Sequence, residues 1–371
     1  MKLESRIDKL RLLSLIYKKI NLFITFILFL LVSIGSLILY SATGGSFDPL
    51  VYSHLIKFGI SFTLFIIICF LKYEVIYEYS HYFFIFCFAT LCVLPFLGLE
   101  IAGSKRWINL GYFSIQPSEI TKVAIILTLS KYYSDFSQTD NSSIIKTALP
   151  CLIIIIPVLL IINQPDLGTA ILVALCGLSI IFISGVSLNI IIAGSVLLFA
   201  TIPLIWMNLY QYQKQRILTF FNPENDPLGS GYHIAQSKIA IGSGGFTGKG
   251  LMEGTQSQLE FIPEIHTDFV FSIFSEEFGF FGSMLIFILY SILIYYGIYT
   301  SIKAKNLFNK LVISGLTINT FLYFFINISM VIGVIPVVGV PLPLISFGGS
   351  AMLAIMISFG IIMNLSSQEK I

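Results

Sequence analysis

The residues best suited to chemistry lie between Glu260 and Glu277, where a charged loop gives way to a long apolar run. Asp268 stands at that junction, and His266 lies two residues before it. Partial burial and a helix N-terminus would act on such a carboxylate in opposite senses, which suits Asp268 to the role of general base. The structural alternative is that Asp268 only caps the helix and that His266 is an ordinary loop histidine.

Three further charged residues fall in segments that are otherwise apolar. Glu119 and Lys122 are three residues apart, so on a helix they share a face and can pair. Ionisable groups inside a membrane span are costly and are therefore functional candidates, although a structural ion pair explains these two equally well. Asp166 precedes an apolar run, where it either caps the next helix or adds a second carboxylate to the same cavity.

Basic residues in the polar segments could bind phosphate. The glycine-rich run from Gly242 to Gly250 resembles a phosphate-binding loop, but Ser243 replaces the required first glycine and Gly250 replaces the required Ser or Thr. Backbone N–H groups of this run could still hold a pyrophosphate. The side chains suited to the same task are Lys249, Arg106, Arg216 and Lys238, and solvated loop charge is the alternative for each.

The elements that must position these residues are membrane helices. Of the 371 residues, 56% are hydrophobic and only 11% are charged, whereas a soluble domain carries about 25% charged residues. A spanning helix needs about 20 mostly apolar residues. The sequence therefore predicts an all-α polytopic membrane protein with ten transmembrane helices, at 21–41, 55–71, 81–99, 117–134, 148–163, 168–185, 187–206, 268–300, 309–330 and 346–365.

The distribution of positive charge predicts the orientation of these helices. With ten spans, most of the 21 Lys and Arg residues lie on the side of the N-terminus, and such an excess marks the cytoplasmic side. Both termini are then cytoplasmic. The chain is predicted to form one transmembrane domain, 1–371, with a cytoplasmic segment at 1–20 and a large external loop at 207–267, between helices 7 and 8. No basic, aromatic-interleaved patch suggests nucleic acid.

The segment before the last helix is predicted to be irregular. Pro336, Pro341 and Pro343 and the pair Gly348-Gly349 interrupt any helix there. Irregular backbone at membrane depth is tolerated only where it is buried in protein or lines a cavity. This segment is therefore expected to be a re-entrant cavity wall.

These motifs, in this order, resemble the SEDS family (shape, elongation, division and sporulation) over about residues 20–366, and the rod-shape branch more than the division branch. The matching segments are Arg106-Trp-Ile-Asn-Leu-Gly111, Gln116-Pro-Ser-Glu-Ile-Thr-Lys122, Asn163-Gln-Pro-Asp-Leu-Gly-Thr169, Arg216-Ile-Leu-Thr-Phe-Phe-Asn-Pro223, Gly254-Thr-Gln-Ser-Gln-Leu-Glu-Phe-Ile-Pro-Glu-Ile-His-Thr-Asp-Phe-Val-Phe271 and Pro343-Leu-Ile-Ser-Phe-Gly-Gly-Ser350. Ile265 is a departure from the residues that relatives often carry.

The resemblance implies a peptidoglycan glycosyltransferase of the bacterial cytoplasmic (inner) membrane. Such an enzyme polymerises lipid II on the external, periplasmic face, beside a class B penicillin-binding transpeptidase. Asp268 matches the essential aspartate of the family, and Glu119, Lys122 and Asp166 match its other sensitive polar positions. The basic residues would neutralise the leaving pyrophosphate, alone or with a divalent cation (Mg²⁺ or Mn²⁺). No set of protein metal ligands is predicted.

Two other classes of protein compete with the enzyme. A lipid II flippase or an ion-coupled transporter would use Glu119, Lys122 and Asp166 as an intramembrane relay. The polar motifs crowd one face instead of the midplane, and no inverted sequence repeat is visible, which disfavours transport. A scaffold that only recruits the transpeptidase would leave the outer carboxylates unexplained. The sequence therefore favours the glycosyltransferase.

Overall fold

The fold is a bundle of helices with a small sheet at one end. The computed structural model describes residues 19–101, 104–109, 111, 114–136, 144–222, 229–258 and 266–368. Most of the predicted segment 1–20 and the loop residues 259–265 lie outside these ranges. The helices are α1 (Leu22–Ala42), α2 (Leu50–Phe70), α3 (Tyr73–Glu78), α4 (Ser80–Leu97), α5 (Pro117–Phe136), α6 (Ile144–Asn163), α7 (Leu167–Ile183), α8 (Leu188–Asn208), α9 (Gln211–Phe221), α10 (Ser230–Ser243), α11 (Thr255–Gln258), α12 (Val270–Lys303), α13 (Leu307–Val331) and α14 (Gly349–Gln368).

Each of the ten predicted spans coincides with a helix. Among the described residues, six helices are long and apolar enough to cross a membrane, namely α1, α2, α4, α12, α13 and α14. Shorter apolar helices occur at Thr147–Asn163, Leu167–Ile183 and Leu188–Leu204, and α7 and α8 are separate helices, as predicted. The remaining helix, α5, contains charged residues that include Glu119 and Lys122. The chain is thus a polytopic helical membrane protein, while the number of ten spans stays a prediction.

Burial separates central from peripheral helices. In α14, 89% of the most apolar window is buried, whereas in α2 and α4 the share is 22%. The central position of α14 lets its one asparagine satisfy a neighbouring helix end. Asn364 Nδ2 donates to the carbonyl oxygens of Ile68 and Leu71, both at 2.8 Å, where α2 ends. Carbonyl groups at a helix end lack partners in the helix itself, so this side chain replaces the water that a membrane excludes.

Side-chain contacts bring many helix ends together at one end of the bundle, here called the polar end. Ser41 at the end of α1 donates to Glu277 in α12, and Gln116 before α5 donates to Asp166 before α7. Asn327 near the end of α13 donates to the Asp268 carbonyl before α12. The starts of α5, α7 and α12 and the ends of α1 and α13 therefore lie on the same side.

A short antiparallel sheet is the departure from an all-helical fold within the described residues. It contains β1 (Leu99–Ile101), β2 (Ser104–Asn109) and β3 (Ser114–Ile115), in the order β1-β2-β3. This sheet was not predicted from the sequence, because strands of two to six residues leave little room for an alternating pattern. The sheet matters for the site because it carries Arg106 on β2.

The predicted loop 207–267 has helical structure of its own, in α9, α10 and α11. Its glycine-rich part, Gly244–Gly250, here called the glycine segment, packs on α12 where that helix is broken at Gly279, which has a φ of 64°. Lys249 N and Gly250 N donate to the carbonyls of Glu276 and Glu277, both at 3.0 Å. The carbonyls of Gly245 and Phe246 accept from Phe280 N and Phe281 N, at 2.9 and 3.1 Å. Backbone groups of the glycine segment thus satisfy the broken helix.

The glycine segment lies too close to the backbone of α12 to leave room for a side chain at Gly248. We therefore expect Gly248→Ala to destabilise the protein. A Cβ atom at Gly248 would clash with the Glu277 carbonyl, and the φ of 83° at this position disfavours any side chain. The expected loss is about 2 kcal/mol in the free energy of unfolding, measured as a lower thermal midpoint of the purified protein in detergent.

Gly242→Ala is the matched control, since Gly242 lies in α10 with nothing within 4 Å of an added Cβ atom. Its effect should stay within about 0.5 kcal/mol. Equal midpoints for the two variants would contradict the docking of the glycine segment on α12.

Candidate active site

Asp268 lies in a turn, residues 266–269, immediately before α12. The helix begins at Val270 with Phe269 in the N-cap position, so Asp268 lies one residue before the cap. Asn327 Nδ2 holds this turn from α13 by donating to the Asp268 carbonyl at 2.9 Å. The carbonyl of His266 accepts from Phe347 N at 2.9 Å. The turn is therefore fixed on both sides through its backbone, and the partly exposed Asp268 side chain remains at the surface of the site.

The carboxylate of Asp268 faces the irregular segment Val337–Val340, here called the central segment. A Cβ atom at Gly339 would lie 3.4 Å from Asp268 Oδ2, and Gly339 has a φ of 72°. The Val340 carbonyl accepts from Asn327 Nδ2 at 2.7 Å, so one amide group holds both the central segment and the Asp268 turn. The stretch before α14 is irregular, as predicted, while its role as a cavity wall stays a prediction.

Asp166 fills one of the two roles that the sequence left open, the N-cap of α7. Its Oδ1 accepts from Thr169 N at 3.2 Å, as the N-cap of α7. Its Oδ2 accepts from Gln116 Nε2 at 2.6 Å and lies 3.6 Å from Arg106 Nη1. The Asp166 residue is only 4% exposed, whereas the Arg106 side chain is 31% exposed. Asp166 therefore anchors an arginine that still reaches solvent.

Arg216 belongs to the same cluster through Tyr212. The Tyr212 hydroxyl donates to the Pro165 carbonyl at 2.9 Å, and the Arg216 guanidinium lies 5.8 Å from the centre of the Tyr212 ring. Burial raises the pKa of the Tyr212 phenol, while the positive charges of Arg216 and Arg106 act in the opposite sense. Both arginines are thus close enough to act on one phenol, and Arg216 Nη1 also donates to the Val337 carbonyl at 3.5 Å.

Glu119 and Lys122 form a buried ion pair, with Lys122 Nζ 2.8 Å from Glu119 Oε1. Lys122 is completely buried and Glu119 is 4% exposed. The Tyr323 hydroxyl bonds to both groups, donating to Glu119 and accepting from Lys122. Tyr323 lies on α13 four residues before Asn327, so both side chains project from one face of that helix. This face links the buried pair to the Asp268 turn.

The two remaining basic candidates lie elsewhere. Lys249 Nζ is 2.6 Å from Glu276 Oε1 and donates to the Thr255 hydroxyl at 2.8 Å. Glu276 is fully buried, so a phosphate that recruited Lys249 would leave a buried carboxylate without its cation. Lys238 is exposed on α10 and packs over Gly333. The structure therefore brings together Arg106, Arg216 and Asp166, and it places Lys249 in the support of α12.

Four residues of the site were not predicted individually from the sequence, namely Gln116, Tyr212, Tyr323 and Asn327. A signal existed for Tyr323 and Asn327, because both are polar side chains at i, i+4 spacing inside an apolar helix. No local signal identifies Tyr212. Among the described residues, no group of three or more His, Cys, Asp and Glu side chains is arranged to hold a metal ion.

These features define a multi-pass membrane protein with a polar site built on irregular backbone at one end of its helix bundle. Residues 17–371 match the FtsW/RodA/SpoVE family model, described as "Cell cycle protein". The chain therefore belongs to this family, the SEDS family that its motifs resemble.

Relatives and solved structures agree with this assignment. The chain is 45% identical to the peptidoglycan glycosyltransferase MrdB of Escherichia coli K12 over 297 residues, 80% of each protein. It is similar to a chain from a structure titled "Structural coordination of polymerization and crosslinking by a peptidoglycan synthase complex", with 27% identity, a TM-score of 0.80 and coverage of 94% and 98%. The crystal structure of Thermus thermophilus RodA shares the fold, with 24% identity, a TM-score of 0.70 and coverage of 93% and 96%.

The buried ion pair predicts an unequal cost for single and double substitutions. Lys122→Met leaves Glu119 buried without a cation, and we expect a loss of about 3–5 kcal/mol in the free energy of unfolding. Adding Glu119→Gln removes the orphaned charge and should recover part of that loss. Thermal midpoints of both variants in detergent measure the difference, and a double variant less stable than Lys122→Met would contradict the pairing.

Proposed function

We propose that this chain is a peptidoglycan glycosyltransferase that polymerises lipid II into β-1,4-linked glycan strands for cell-wall elongation and rod shape. The observation that carries the proposal is the Asp268 carboxylate, held on a turn fixed by Asn327 and Phe347 and facing the central segment. The central segment also contacts Arg216. One site thus offers a carboxylate for proton transfer and a cationic group for phosphate. The name of the MrdB relative supports the same activity.

The mechanism follows from the chemistry of the substrate. Lipid II carries an α-linked pyrophosphate and the product linkage is β, so the reacting sugar carbon inverts in one displacement. The 4-hydroxyl of the acceptor attacks that carbon, Asp268 accepts the hydroxyl proton, and the bond to the pyrophosphate oxygen breaks. The departing pyrophosphate carries the displaced electron pair and needs stabilisation by positive charge instead of a strong acid.

The pyrophosphate is assigned to Arg106 and Arg216 in this proposal. Arg216 lies 5.8 Å from the centre of the Tyr212 ring, and the Tyr212 hydroxyl donates to Pro165, the neighbour of the Asp166 that holds Arg106. The planar group of arginine matches phosphate oxygens in a two-bond geometry. Asp166 positions Arg106 through an ion pair, with its Oδ2 atom 3.6 Å from Arg106 Nη1. The reaction with and without Mg²⁺ or Mn²⁺ tests whether a divalent cation assists the two arginines. His266 and Lys238 stay secondary candidates at the edge of the site.

Orientation and partners complete the proposal. The polar end faces the periplasm and both termini are cytoplasmic, which is supported by the excess of Lys and Arg toward the N-terminal side. The protein lies in the bacterial cytoplasmic membrane and acts beside a class B penicillin-binding transpeptidase. The structural neighbour from a complex that couples polymerization to crosslinking supports such a partner.

The base is tested by Asp268→Asn. With purified lipid II and the transpeptidase in detergent, the wild type should form glycan strands, and the variant should lose activity by about 100-fold or more because an amide cannot accept the proton. The elution profile and thermal midpoint should stay unchanged.

Asp48→Asn is the matched control, since Asp48 is an exposed aspartate just beyond the end of α1, at the polar end. Its activity should equal that of the wild type. Near-normal strand formation by Asp268→Asn would remove Asp268 from the role of base. The transporter would be favoured instead if neither the wild type nor Asp268→Asn formed strands while lipid II crossed a liposome bilayer.

The arginines are tested separately from the base. Arg106→Gln and Arg216→Gln should each lower kcat/KM by about tenfold or more, because each removes a charge-assisted contact to the leaving group. Lys105→Gln is the control, since Lys105 is exposed and adjacent residues of a strand point to opposite faces.

Lys249→Gln distinguishes a structural role from a phosphate role. We expect it to lower the thermal midpoint first, because it leaves Glu276 buried without its cation. The pyrophosphate would be reassigned from the arginines to Lys249 by a different result. In that result Lys249→Gln keeps full stability with a reduced kcat/KM, and both arginine variants keep the wild-type kcat/KM.

A further inference from the structure

A cavity remote from the proposed active site lies at the opposite end of the helix bundle. It has a volume of about 680 Å³. Its walls come from the start of α1, including Asn21 and Phe23, from the last turns of α12, including Tyr299 and Lys303, and from Ser366 near the end of α14. Helices that are far apart in the sequence therefore form one recess where the membrane surface would lie.

The lining of this cavity is cationic at one edge and apolar at another. Among the described residues that line it, Lys303 and Lys305 are the charged ones and no carboxylate is present. Lys303 Nζ lies 4.3 Å from the centre of the Tyr299 ring and donates to its hydroxyl. The apolar edge includes Ile292 and Phe23, and Phe23 is 60% exposed.

This distribution of groups matches the parts of one ligand. Lysines and tyrosines are typical of the membrane–water interface, and basic pockets between spanning helices bind anionic lipid headgroups. We propose that the cavity binds an anionic phospholipid, with its phosphate at Lys303 and Lys305 and the upper part of its acyl chains along Phe23 and Ile292. The shared chemistry is a phosphate anion, and the apolar edge is what favours a lipid over a soluble phosphate.

A simpler explanation covers only part of the observations. Lys303 lies in the last turn of α12, where a positive charge complements the helix dipole. That explanation does not account for Lys305, which lies beyond the helix end, or for a recess that spans α1, α12 and α14. A bound lipid phosphate accounts for Lys303, for Lys305 and for the recess between the helices.

The bound lipid would join helices that also meet at the polar end. There, Ser41 of α1 donates to Glu277 of α12, next to the Glu276 that holds Lys249. A ligand that bridges the other ends of α1 and α12 binds the folded arrangement only, so it stabilises that arrangement by mass action. The lipid thus acts as a structural ligand for the two helices.

The experiment is a lipid titration of the purified full chain in detergent, followed by native mass spectrometry. We expect one phosphatidylglycerol to bind in preference to phosphatidylcholine. Each lysine near a membrane surface contributes about 1 kcal/mol to anionic lipid binding. Lys303→Gln should therefore weaken binding by about fivefold, and Lys303→Gln with Lys305→Gln by about thirtyfold.

Lys72→Gln with Lys310→Gln is the matched control pair. Both lysines are exposed, and both lie at the same end of the bundle without lining the cavity. Retained preference in the control pair and its loss in the cavity pair would support the site. Equal losses in both pairs would show diffuse surface attraction and overturn it. Displacement of the lipid by glycerol phosphate at similar concentration would show a site for soluble phosphate, which also overturns the lipid proposal.

Discussion

The structure depends on the need to pair backbone polar groups that are buried near or within the membrane. Regular helices satisfy these groups internally, but this chain is irregular in the turn 266–269, in the central segment Val337–Val340 and at the break in α12. In each place a specific partner replaces water. Asn327 serves the turn and the central segment, and the glycine segment serves α12. An unpaired group in such surroundings costs several kcal/mol, so these partners are obligatory.

The same partners position the chemistry. Asn327 donates to the Asp268 carbonyl through the amide that also binds Val340, so the reactive carboxylate and the wall it faces cannot shift independently. Tyr323, one turn earlier on α13, connects this arrangement to the buried Glu119–Lys122 pair. A site held in this way keeps its geometry without the substrate, which is what efficient proton transfer and charge stabilisation require.

Two ion pairs, each with a buried carboxylate, lie at different positions in the structure. Glu119 with Lys122 lies within α5 and bonds to α13, while Glu276 with Lys249 attaches the glycine segment to α12. In each pair the carboxylate is at most 4% exposed, so neither cation can leave without a large desolvation cost to its partner. Arg106 Nη1 lies 3.6 Å from Asp166 Oδ2, beyond hydrogen-bond distance, whereas Lys249 Nζ lies 2.6 Å from Glu276 Oε1. Arg106 is therefore the cation that a substrate can recruit at the lower cost.

The sequence by itself determined the helical membrane architecture, because apolar runs of about 20 residues have few other stable states. It also determined that Asp268, Glu119, Lys122 and Asp166 are unusual, since charges in apolar surroundings need a reason. Tertiary structure decided which charges are paired and which are accessible. Lys249 and Arg106 look alike as loop cations, and both lie beside a buried carboxylate, yet Lys249 Nζ contacts Glu276 directly at 2.6 Å whereas Arg106 Nη1 is 3.6 Å from Asp166. Because such pairs join residues many positions apart in the sequence, no local periodicity or spacing predicts them.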